Sequence, residues 1–307
     1  MVDEMSLAVF CLKFENQYLR ADGDRFQELF ATVMERAHRD DFVRVQPWGK
    51  KGDMKCDGFL NSERKVFACY GPKEFSPMAR ALKKIGDDHH GALKNWKKYL
   101  SAWTFVHNEH RGLPPEILQL LLDLQTADDE VDVGHWGLPE LTEKVRTLSL
   151  PDLVELFGAV PTARQLRGLR QEDLQAVLPS LLGALTVTEP QDLRPVPPEK
   201  LDYNRLSEHS RLLLLSGMQV SDRVQAFFER WEPGVGDKIA AAFNQRYLLL
   251  RSKNGLSPDE ILWELHEFAG GASGTASVRE QVAVFALLAY MFEACEIFDR
   301  PPAKTTP

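Results

Sequence analysis

No stretch of the chain approaches the roughly eighteen consecutive apolar residues that a membrane-spanning helix needs. A spanning helix is therefore not expected, and the opening residues, MVDEMSLAVFCLKF, are acidic where a secretory leader would be basic. Cysteine is also scarce. Cys11, Cys56, Cys69 and Cys295 show no paired spacing, which argues against a disulfide framework and against a zinc cluster. A reducing cytoplasm suits such a chain. A phosphate loop is missing too: Gly234 to Gly236 with Lys238 lacks the four-residue gap and the Gly-Lys-Ser/Thr ending, so it reads as a turn into a helix.

What is present is enough apolar sequence for a sizeable core, 44% hydrophobic over 307 residues, and a length that suits two domains. Charge is unevenly spread around the net −8. Residues 1–113 carry 19 Lys/Arg against 16 Asp/Glu, or +3, whereas residues 114–307 carry 18 against 29, or −11. Within the first part, Asp41–Leu113 holds 14 basic and 8 acidic residues, an excess that can meet phosphates. The competing reading is that Lys83, Lys84, Lys94, Lys97 and Lys98 form only the solvated faces of helices.

Along the chain, Met5–Leu19 is an apolar lead-in and Asp22–Arg39 a helix, with Phe26, Leu29, Phe30, Val33, Met34 and Ala37 on one face. Glu28 flanks that stripe, either exposed or turned towards a neighbouring hairpin. Phe42–Trp48 alternates like a strand. The hairpin itself lies in KGDMKCDGFLNSERKVFACYGP, Lys51 to Pro72: strands Asp57–Leu60 and Lys65–Tyr70 flank a polar turn at Asn61–Arg64. Helices follow at Ser76–Ile85 and Ala92–Leu100, separated by a polar loop, Gly86 to Gly91, whose His89 and His90 lack further ligands at metal-binding spacing. Ala102–His107 reads as a strand, Pro114–Gln125 as a helix and Val131–Trp136 as a strand. The expected order is thus helix, three strands, helix, strand, helix, strand.

From Leu138 the pattern is helical only. The expected domains are an α/β domain at 1–137, a helical connector at 138–188, a proline-rich linker at 189–199 (EPQDLRPVPPE) and an all-α domain at 200–302. In the last of these, Leu201–Ser221, Val224–Trp231, Gly236–Lys253, Pro258–Leu265 and Val278–Phe298 read as helices. The apolar run VAVFALLAYMF suits a buried core helix or a partner groove.

The αβββαβ order, with Gly52-Asp53-Met54-Lys55-Cys56-Asp57-Gly58, Trp103–Asn108 (WTFVHN) and Gly112-Leu113-Pro114, resembles the restriction-endonuclease-like, PD-(D/E)XK nuclease family over residues 20–137. The resemblance implies Mg²⁺ (or Mn²⁺) held by Asp57 at the first hairpin strand and Glu28 on the preceding helix. Ala68 and Tyr70 stand where that family places a Gln or Glu and a catalytic Lys. In phosphodiester hydrolysis the cation offsets developing charge and activates water, and a lysine adds a second positive charge. Lys55, two residues before Asp57 on a strand, or Lys73 would have to substitute, and Tyr70 would donate to a phosphate oxygen. The bland readings are an Asp-Gly turn for Asp57 and a sheet aromatic for Tyr70.

PVPPEKLDYNRLSEHSRLLL, VQAFFERWEPGVGDKIAAAFNQRYLLL and LLAYMFEACEIFDRP resemble, over residues 195–302, the C-terminal domain of effectors from bacterial three-component ABC-ATPase defence systems, a group including Lamassu-type loci. Its Cys-Asp-Ile-Phe is Cys295-Glu296-Ile297-Phe298 here. That resemblance implies an effector that docks on an SMC-like ABC ATPase and a small middle component, and that is released or clustered as an oligomer when foreign DNA is sensed. Three functions stay open: an antiviral endonuclease, a catalytically degenerate nuclease-like domain that binds DNA or scaffolds the same complex, or a structural subunit with no nucleic-acid contact, which the acidic second half permits.

Overall fold

The computed structural model describes residues 2–47, 52–74, 77–182, 199–231, 234–253, 255–271, 276–294 and 297–301. The chain divides into two compact units, Lys13–Leu153, and Met1–Leu12 with Val154–Pro307. The proline-rich linker expected at 189–199 lies outside the described residues apart from Glu199. No described helix is long and apolar enough to cross a membrane.

The first unit is mixed α/β. After α1 (Glu4–Arg20), which covers the expected lead-in, the order is α2 (Gly23–His38), β1 (Phe42–Arg44), β2 (Gly58–Leu60), β3 (Lys65–Tyr70), α3 (Met78–Trp96), β4 (Ala102–His107), α4 (Pro115–Ala127), β5 (Asp132–Trp136) and α5 (Leu138–Arg146). The strands form one five-stranded sheet in sequence order. β1, β2 and β3 run antiparallel, whereas β3, β4 and β5 are parallel. A parallel neighbour requires a crossover, and α3 and α4 supply the two.

Alternation along the strands separates two apolar layers. Phe67 and Phe42 meet Phe30 of α2, with ring centroids 5.3 and 5.9 Å away, and Gly58 leaves room for the Phe42 ring. On the other layer Val66, Ala68, Trp103 and Phe105 pack with Ile85 and Ala92 of α3 and Ile117 and Leu121 of α4. Each large side chain fully buried there contributes about 2 kcal/mol of hydrophobic stabilisation. β4 is buried at every position, as a central strand covered on both faces should be.

One expectation for this unit is corrected. Gly86 to Gly91 is not a loop between two helices but the middle of α3. Two glycines cost a helix about 1 kcal/mol each; burial of Ile85, Asp88, His89 and Ala92 along one face outweighs that. Ion pairs from Lys83 to Asp87 and from Lys84 to Asp88, each one turn apart, support the same stretch.

In the second unit every described element after α6 (Leu150–Phe157) is also a helix: α7 (Ala163–Arg167), α8 (Gln171–Leu182), α9 (Lys200–Tyr203), α10 (Glu208–Met218), α11 (Ser221–Arg230), α12 (Val235–Arg251), α13 (Pro258–Phe268) and α14 (Val278–Glu293). The continuous helix expected at Leu201–Ser221 is two helices. Ser207 caps α10, its own N–H and hydroxyl held by Asp259, and the Asn204 side chain turns to Asp299. α14, buried at 11 of its positions including Val282 to Ala289, is the core helix of this unit. Lys200 is fully buried and donates from Nζ to the Phe292 carbonyl in the last turn of α14 and to the Ile297 carbonyl beyond it.

Candidate functional site

The antiparallel and parallel registers bring the ends of β1, β3, β4 and β5 and the start of β2 to one edge of the sheet. Ligands of open α/β sheets sit beyond the carboxyl ends of strands, so this edge is where chemistry would be sought. Asp57 lies there, one residue before β2, and its N–H donates to Phe67 O at 2.9 Å, extending the ladder. Its Oδ2 accepts the Cys69 N–H at 2.6 Å and its Oδ1 accepts from Gln27 Nε2 at 3.1 Å. Burial pushes the Asp57 carboxyl up to about 6; the Cys69 N–H and Lys84 oppose that rise, and Asp53 and Asp88 add to it.

Glu28 is not brought to Asp57. Arg44 grips both its oxygens, Nη1 to Oε1 at 2.9 Å and Nη2 to Oε2, and Thr32 reaches Oε1 at 3.5 Å. The Arg44 hydrogen bond holds this exposed carboxyl below the usual glutamate range. Successive helix residues differ by about 100° in direction. On α2 that step decides the matter: Gln27, the preceding residue, is the one that meets Asp57.

Lys55 is not a strand neighbour of Asp57, because β2 begins only at Gly58. It occupies a turn with φ +66°, its N–H capped by Asp53 Oδ1 at 2.9 Å, and its ammonium reaches Asp88 Oδ1 on α3 at 2.8 Å. That hydrogen bond raises the lysine's pKa, keeping it charged. Gly91 is required for this path, since a Cβ there would stand 2.6 Å from Lys55 Cγ. Lys73 is 87% exposed, with Asp22 at 3.9 Å. Ala68 is buried in the core and offers no donor, and half-buried Tyr70 packs against the same cluster.

Sequence reasoning missed three residues at this edge. Gln27 was hidden beside Glu28. Lys84 and Asp88 were hidden because their stretch read partly as a loop; in α3, Lys84 pairs with Asp88 and sets its ammonium 5.8 Å from the Tyr70 ring centroid. The i, i+4 spacing of Lys84 and Asp88 was the available signal. Buried His89 stands edge-on to Trp103 and is pushed down to about 4 by burial and by His90. Burial also pushes the Cys56 thiol up to about 12 and Cys69 well above its ordinary value, so neither is a ready nucleophile.

These residues do not fit a Mg²⁺ site. Both Asp57 oxygens already face N–H donors, and Glu28 and Ala68 bring no second carboxylate. Among the described residues, no group of three or more His, Cys, Asp or Glu is arranged to hold a metal ion.

Comparison with known proteins finds its match elsewhere in the chain. Residues 172–299 match the family described as C-terminal domain 10 of the ABC-three component (ABC-3C) systems. The ABC-3C match starts in α8 and ends at Asp299, so it covers α9 to α14. It supports placing the chain among the components of an ABC-3C system, with other components of that system as its partners. No curated protein and no solved structure matches the chain.

Proposed function

We propose that the chain is the effector subunit of an ABC-3C defence complex, and that its α/β unit is nuclease-like in strand order but binds DNA without cutting it. The observation that carries this reading is the occupancy of Asp57. The Asp57 carboxylate accepts hydrogen bonds from the Cys69 N–H and from Gln27, and Asp88 at the same edge is paired with Lys55 and Lys84, where hydrolysis would want two acids free for a cation. The αβββαβ order from α2 to β4 fits the restriction-endonuclease-like core that the resemblance implied. In this reading the ABC-3C domain holds the chain to an SMC-like ATPase and a small middle component in the cytoplasm, and clustering of the complex on foreign DNA is the output.

The test is incubation of plasmid DNA with the purified chain and Mg²⁺ or Mn²⁺, alone and with its ATPase and middle component, beside a gel-shift assay. The expected outcome is intact plasmid throughout, with DNA retarded equally by wild type, Asp57→Asn and Glu28→Ala. Metal-dependent nicking that disappears in Asp57→Asn would instead establish hydrolysis, with Lys84 or Lys55 as the cation near the phosphate.

A further inference from the structure

The helical unit contains a cavity of about 370 Å³ where α9, α12 and the start of α13 meet residues 298–299. Its polar wall is tied together. Arg251 Nη1 donates to Asp299 Oδ1 at 2.5 Å, Asn204 Nδ2 donates to Asp299 O at 2.8 Å, and Asn204 Oδ1 accepts the Asp299 N–H at 3.0 Å. The Tyr247 hydroxyl shares Arg251 and Asp299; burial, then Asp299, pushes it up to about 12, so it stays protonated. Within that wall the charges cancel.

Arg205 breaks the balance. It lines the same cavity, is exposed, and among the described residues its guanidinium has no hydrogen-bond or ion-pair partner. Its backbone stands at φ +53°, and Phe298, also in the lining, stands at +64°. Left-handed backbone at non-glycine residues costs roughly 1 kcal/mol or more and gathers where a ligand is gripped. Ring surface comes from Tyr203, 49% exposed, and from Tyr247 and Phe298, whose centroids lie 5.2 Å apart. Leu256 and Ile261 complete the apolar side.

We propose that this cavity is a binding site for a peptide segment of a partner protein, one that inserts a large apolar side chain beside a single carboxylate. The side chain enters against Tyr203 and Phe298, and the carboxylate pairs with Arg205. One uncompensated cation suits one negative charge, whereas a phosphate would bring more charge than Arg205 balances and would face Asp299 as well. The volume is at the small end of ligand pockets, right for one side chain with its backbone. That the partner belongs to an ABC-3C system rests on the reading above; the chemistry of the site does not.

The measurement is an NMR titration of the full chain with N-acetyl-phenylalanine, its carboxamide and AMP. The acid is expected to bind about fivefold more tightly than the amide, Arg205→Ala to erase that preference, and Tyr203→Ala to weaken both. Failure of the acid to bind, equal binding of acid and amide, or a preference that survives in Arg205→Ala would overturn the site. Tighter binding of AMP would overturn it as well, making it a nucleotide pocket. A parallel co-purification with ABC-3C components separates the two ideas: probe binding without co-purification would keep the site and remove the ABC-3C assignment.

Discussion

Asp57 carries an electrostatic cost in the folded state at the sheet edge. Its carboxyl titrates near 6 in place of 3.8 because burial disfavours the charged form. With the folded value above the unfolded one, the stability associated with the proton is fully present below pH 3.8 and is lost as the pH rises through about 6. At about 1.4 kcal/mol per pH unit, the penalty at neutral pH is about 3 kcal/mol. Asp57→Asn should remove it. The Asn oxygen still accepts the Cys69 N–H, and its amide can donate to the Gln27 oxygen after that side chain turns over. The expected result is a variant more stable than wild type at pH 7 and equal to it near pH 4, measured as denaturant midpoints across that range. A wild-type midpoint that does not fall between pH 4 and pH 6 would show that Asp57 titrates as an ordinary carboxylate.

The elements themselves were largely legible. β3 and β4 occupy Lys65–Tyr70 and Ala102–His107 as the sequence predicts, because turn residues bound a short β-rich run in each case. α3 was not legible as one helix, since glycine is the commonest break signal and the packing that overrides it comes from strands distant in sequence. Nor was the site's pairing legible: whether Gln27 or Glu28 faces Asp57 depends on helix phase against a strand end, and no period records that. The two glycines of α3 also differ in kind. Nothing lies within 4 Å of a Cβ built on Gly86, whereas one on Gly91 would strike the Lys55 stem. Gly86→Ala should therefore stabilise the unit by about 1 kcal/mol. Gly91→Ala should lose that gain, because it displaces Lys55 from Asp88. Thermal midpoints that rise equally in both variants would mean that Lys55 has another route to α3.

Across the whole molecule, six of the 14 basic residues of Asp41–Leu113 are held in these ion pairs: Arg44 is bound to Glu28, Lys55 and Lys84 to Asp88, Lys65 to Glu63, Lys83 to Asp87 and Lys97 to Glu130. Among the described residues of the α/β unit, Arg25, Arg64, Arg80, Lys94 and Lys98 are exposed cations with no ion-pair partner. Residues 114–307, at −11, offer DNA little attraction. Salt dependence turns this accounting into a measurement, because each phosphate neutralised adds about 0.9 to the slope of log K against log salt. Five such cations correspond to a slope of about −4.5, whereas engagement of all 14 basic residues of Asp41–Leu113 would approach −13. A slope near −4.5 from gel shifts at several salt concentrations would mean that DNA is held through these five alone. A steep slope would show that the lysines of α3 exchange their aspartates for phosphates, making that helix the DNA-binding face.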